Sequence, residues 1–86
     1  MGKKDLEDAA QIMDDIINDF AVPRNIKRSV TEAKEMITKE GAGEVEFTSA
    51  IYLLDESLND INMPFHTRTE VMEVISKLEK LKEESK

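Results

Sequence analysis

At 86 residues the chain has room for one compact domain burying roughly 60–65% of its unfolded surface, and little room for a deep active-site cavity. It contains no cysteine, which excludes disulfides, thiolate metal sites and a cysteine nucleophile. A net charge of −7 opposes strong non-specific binding to nucleic acid, because phosphates repel it.

Residues 1–4 carry +2, after which Asp5, Glu7 and Asp8 turn the chain acidic. No apolar signal-peptide core follows, and no run is long enough to span a bilayer. Leu6 stands where a myristoylation motif starting at Gly2 needs Ser or Thr. The expectation is a soluble, cytoplasmic protein without membrane contact, which a cysteine-free chain also fits.

Helix one is predicted over 5–20. Leu6, Ala9, Met13, Ile16 and Phe20 recur at helical spacing, widened by Ile12 and Ile17. Pro23 cannot continue that helix but suits the start of the next, and it pushes Val22 toward extended geometry. Helix two, over 24–39, carries Ile26, Val30, Ala33 and Ile37 on one face. Gly41 is placed to end it in a left-handed cap, and Gly43 loosens the connection. Helix three, over 45–60, shows Phe47, Ala50, Leu54, Leu58 and Ile61. Pro64 repeats the role of Pro23 and Met63 that of Val22. Helix four, over 65–83, presents Val71, Ile75, Leu78 and Leu81, with Thr67 and Glu70 spaced for a capping box. Ile16, Leu54 and Ile75 are expected in the core, and 84–86 as a frayed tail. No stretch alternates as a strand would.

A shift of 41 positions lays 12–25 over 53–66. Asp14 falls on Asp55, Asn18 on Asn59, Asp19 on Asp60, Pro23 on Pro64 and Asn25 on His66. Apolar positions agree too: Ile12 with Leu53, Ile17 with Leu58, Val30 with Val71 and Ile37 with Leu78. Residues 1–86 therefore read as a single all-α domain, an antiparallel four-helix bundle built from two duplicated hairpins, 5–39 and 45–83, about a pseudo-twofold axis. Neither hairpin can bury its apolar stripe alone.

The phrase Val22-Pro-Arg-Asn25 and the stretch Leu53–Thr69 resemble a small archaeal family of uncharacterised proteins. The likeness spans most of the chain. It implies a small four-helix bundle, and it transfers no catalytic residue.

Several side chains invite a functional reading. Asp15 and Asp19 share a helix face, as do Glu56 and Asp60, but bundle di-metal sites use Glu-x-x-His motifs, which this chain lacks. These acids are read as a solvated or salt-bridged face. His66 is the only histidine. With Asn25 as its match, it reads as a bracing side chain at a helix start. Arg24, Lys27 and Arg28 open helix two and Arg68 matches them in helix four. Pairing with the acidic ends of helices one and three competes there with binding an external anion. Tyr52 flanks the helix-three stripe and could mark a contact surface. Asp19 and Asp60, read as last-turn residues, are badly placed for the helix dipole. Each is expected to clasp the helix that follows it, Asp19 near Asn25 or Lys27 and Asp60 near His66 or Arg68. No catalytic motif, cofactor site or metal set is expected. The reading that results is a non-enzymatic scaffold or adaptor working through a protein partner or its own copies. The alternative is a nucleic-acid or ribonucleoprotein accessory using the basic face of helix two, whose segment 23–39 carries +3.

Overall fold

Proline decides where two of the four helices begin. The computed structural model describes residues 2–85 and consists of α1 (Gly2–Ile17), α2 (Arg24–Thr38), α3 (Glu44–Ser57) and α4 (Phe65–Glu84), with no strand among the described residues. Pro23 and Pro64 take φ/ψ of −59°/150° and −61°/152°, extended values that turn the chain straight into α2 and α4. Their carbonyls accept the first helical bonds, from Lys27 N–H at 3.1 Å and Arg68 N–H at 3.0 Å. The starts of α2 and α4 were thus legible to the residue, whereas α1 begins three residues and α3 one residue earlier than expected. The ends of α1 and α3 fall three residues short of expectation, which places Asp19 and Asp60 in turns beyond the helices.

The middle connection differs from its expected form. Thr38 ends α2 and Lys39 is extended, so Gly41 caps no helix. It sits instead at the third position of a β-turn closed by Ala42 N–H on Lys39 C=O at 3.1 Å, with φ +80°. That turn type requires a positive φ there, which glycine takes without steric cost. Gly43 opens α3, and the Glu46 carboxylate accepts its N–H at 2.8 Å. The bond to Gly43 and the Glu46 amide hold that carboxyl below its usual pKa.

Each helix packs on two others. α1 contacts α2 and α4, and α3 contacts α2 and α4, while the diagonal pairs keep their backbones apart. The whole measures 35 × 20 × 19 Å, about one helix length by two helix diameters. Buried positions repeat at the 41-residue shift: Ala9 with Ala50, Met13 with Leu54, Ile16 with Ser57, Val22 with Met63. The series continues through Ile26 with Thr67, Val30 with Val71, Ala33 with Val74 and Ile37 with Leu78. One apolar cluster contains nearly all of them, with Leu6, Ile12, Ile17, Leu58 and Ile75 packed half-buried around it.

Three core assignments are corrected. Phe20 and Ile61 continue the apolar spacing but lie past the helix ends, where the chain turns them outward. On α4 Val74 joins Val71 and Leu78 as fully buried, with Ile75 at the margin. Thr67 makes no capping box with Glu70, because α4 starts at Phe65 and Thr67 faces the core. Of the expected tail, residue 84 is helical, residue 85 caps the helix, and residue 86 lies outside the described residues.

Candidate functional site

The repeated phrase builds two matching turns. In each, one aspartate oxygen accepts the backbone N–H two residues on: Ala21 to Asp19 at 2.8 Å, Asn62 to Asp60 at 2.8 Å. The aspartate carbonyl accepts a further bond from Val22 or Met63, each at 3.2 Å. Val22 and Met63 then point inward as plugs at the end of the core. An Asp-x-x-apolar-Pro run gives this shape because the carboxylate closes the turn and proline aims the next helix.

The second oxygen of each aspartate reaches across the molecule. Asp19 Oδ2 meets His66 Nε2 at 2.7 Å, and Asp60 Oδ2 accepts from Asn25 Nδ2 at 2.5 Å. The expected clasps to the following helix are therefore not formed: each aspartate holds the helix start of the other hairpin. The error has a plain cause. With α1 and α3 ending early, each turn points its free oxygen at the neighbouring hairpin. The bond to His66, then that to Ala21, holds the Asp19 carboxyl below its ordinary pKa. The bond to Asn25, then that to Asn62, does the same for Asp60.

Beside the first clasp stands Glu70, one turn after His66 on α4. Ligand atoms of Asp19, His66 and Glu70 lie within 4.8 Å of one another. Glu70 Oε1 is sealed from solvent and has no hydrogen-bond partner among the described residues. Burial raises the Glu70 pKa; His66 opposes that rise, and weaker repulsion from each of Asp15, Asp19 and Glu73 adds to it. Beside the second clasp the residue matching Glu70 is Ser29. There the shorter side chain borders a cavity of about 150 Å³ lined by Asn25, Ile26, Ser29, Glu56, Ser57 and Asp60.

The same end of the bundle presents apolar tips. Phe20, Ile61 and Phe65 are 101%, 94% and 88% exposed, and each adjoins a member of a clasp. Arg24 and Arg28 are exposed beside Asn25 and form no ion pair among the described residues. The expected pairing of these two with the acidic helix ends is absent, again because those ends turn toward the opposite hairpin. Lys27 is half-buried and its charge helps lower the Asp19 pKa. Arg68 Nη1 donates to Leu58 C=O at 2.8 Å, so it satisfies a terminal carbonyl of α3 and no carboxylate. Pro23 and Pro64 are half-buried and set the extended backbone that opens α2 and α4, and Tyr52 is exposed on α3.

Sequence reasoning brought Asp19, Asn25, Asp60 and His66 together, in the wrong pairs. It missed Glu70, whose spacing His66-x-x-x-Glu70 was legible, and the outward tips Phe20, Ile61 and Phe65.

Comparison with other proteins agrees with this architecture. A profile of an uncharacterised protein family, UPF0147, matches residues 2–81. The UPF0147 protein of Methanocaldococcus jannaschii is 47% identical over 78 residues, covering 90% of this chain and 84% of that protein. The UPF0147 protein of Archaeoglobus fulgidus is 40% identical over 81 residues, covering 94% and 93%. Among solved structures, the unknown-function protein MMP1188 superposes with a TM-score of 0.81 at 36% identity, over 87% of this chain and 86% of that one. A UPF0147 protein from Thermoplasma acidophilum gives 0.85 at 29% identity, over 92% and 94%.

Proposed function

The chain belongs to the uncharacterised UPF0147 family, and from that membership, which brings a fold and no reaction, we propose that it is a non-enzymatic scaffold that docks a protein partner on the turn end of its bundle. The observation that supports this is the grouping of Phe20, Ile61 and Phe65, nearly fully exposed, at one end. Single exposed apolar residues are ordinary, but three together around two tied turns form a patch. Burying each side chain against a partner recovers about 1.5–3 kcal/mol.

Charge narrows the partner. Arg24 and Arg28, exposed and without an ion pair among the described residues, stand on the first two turns of α2 at the same end, so the fitting surface is apolar with an acidic rim. The clasps hold both turns in place before binding, which lowers the ordering cost of association.

The test is photo-crosslinking from position 65 in native lysate, then reconstitution of the captured protein with purified full chain. Titration calorimetry should show binding that weakens with salt. It should fall about tenfold or more in F20S/I61S and again in R24E/R28E. A complex indifferent to both pairs of substitutions overturns the reading.

The basic residues favour one second reading, a nucleic-acid accessory role. Its mark would be RNA binding whose affinity falls steeply with salt and is lost in R24E/R28E but retained in F20S/I61S.

A further inference from the structure

We propose that Asp19, His66 and Glu70 form a binding site for a divalent first-row transition cation of the zinc type, bridging the first turn to α4. The inference is independent of the partner reading, since it uses neither the tips nor the free arginines.

The three groups come from separate parts of the chain and meet at one point. His66 and Glu70 stand four residues apart on α4, so they project from the same face. Asp19 arrives from the turn after α1, and the Ala21 N–H on its Oδ1 leaves Oδ2 directed at His66 Nε2. That outer bond orients the carboxylate, as outer partners of metal ligands do. All three donor atoms lie within 4.8 Å of one another.

The second, independent observation is the orphaned oxygen of Glu70. Oε1 is closed to solvent and bonded to nothing among the described residues. A buried polar atom without a partner is rare in native proteins and calls for an explanation. A cation bound between Glu70, Asp19 and His66 supplies the missing partner. It also answers the local charge: Asp15, Asp19 and Glu73 all act on Glu70 as like charges, with one imidazole to oppose them.

The matching corner of the molecule is an internal control. There Asp60, Asn25 and Ser29 take the places of Asp19, His66 and Glu70. Amide and hydroxyl groups replace the two strongest donors, and a small hollow stands where Glu70 reaches in. The two corners share a backbone design and differ in the side chains a metal needs.

Donor chemistry sets the cation class. One imidazole nitrogen and two carboxylate oxygens suit zinc, cobalt or manganese better than magnesium, which favours an all-oxygen octahedron. Four-coordinate ligands at zinc lie about 3.3 Å apart. The 2.7 Å contact of Asp19 with His66 therefore has to open slightly as the metal replaces the shared proton. Water completes the coordination.

The experiment uses untagged, chelator-stripped full chain. Calorimetric titration with zinc should give one site per chain, cobalt should develop visible absorption, and magnesium should do neither. His66→Asn and Glu70→Ser copy the residues tolerated at the matching corner, and circular dichroism checks that both variants are folded. Each should lower zinc affinity about tenfold or more, whereas Asp60→Asn should leave it unchanged. No zinc or cobalt uptake by the folded wild type, or uptake that survives in both His66→Asn and Glu70→Ser, overturns the site.

Discussion

An aspartate in a turn has two oxygens, and at Asp60 they do different work. Oδ1 closes its own turn through Asn62 N–H, while Oδ2 takes Asn25 Nδ2 at 2.5 Å. Both bonds favour the charged form, so the folded-state pKa lies below the ordinary 3.8. A carboxylate depressed in this way stabilises the fold above its unfolded pKa, and the contribution disappears as pH falls through the lower folded value. Asp60→Asn keeps the shape and removes the charge. We expect it to melt below wild type at pH 7, with the gap narrowing as pH drops under about 4. Thermal melts across that range check it, and an equal melting temperature at pH 7 would show that the clasp contributes nothing.

At the scale of the helix, buried faces follow the repeat more faithfully than they follow apolar spacing. Leu54 is fully buried, and Leu54→Ala should cost about 2–5 kcal/mol. Ile75 was read as its equal from spacing, yet it stands at the edge of the core. Ile75→Ala should cost nearer 1 kcal/mol, because part of that side chain is already hydrated. Chemical denaturation measures both, and equal costs would mean that α4 turns a different face inward. The repeat held the correction, since Ala33 shifted by 41 positions is Val74. Helix number and the starts of α2 and α4 were legible because periodicity and proline act locally. The ends of α1 and α3 were not, because Phe20 and Ile61 keep the period while the backbone has already turned. The clasp residues were legible as a set, but their pairing was hidden. Which hairpin an aspartate faces is a long-range fact that local spacing does not encode. Glu70 was obscured for another reason: the nearby Thr67 offered a plausible local partner, although the start of α4 at Phe65, which Pro64 already signals, rules that pairing out.

Across the whole molecule, the hairpin is a unit of sequence and not a unit of stability. α2 against α3 and α1 against α4 are the most extensive pairings, and both join one hairpin to the other. The two aspartate clasps also run between hairpins, as does the Lys80–Asp5 ion pair at 3.2 Å. Cutting the chain in the exposed turn near Gly41 therefore separates two halves that each lose most of their apolar cover. Isolated helices of 14–20 residues are marginal in water without tertiary packing. We expect peptides 1–42 and 43–86 to be largely unfolded alone and to regain helical circular dichroism when mixed in equal amounts, with a midpoint that depends on concentration. Asp19→Asn with Asp60→Asn should weaken that reassembly. Lys34→Met, which breaks the Lys34–Asp14 pair inside the first hairpin, should weaken it less. A half that melts cooperatively by itself would make the hairpin the folding unit after all, and the clasps would then be ornaments on two independently stable pieces.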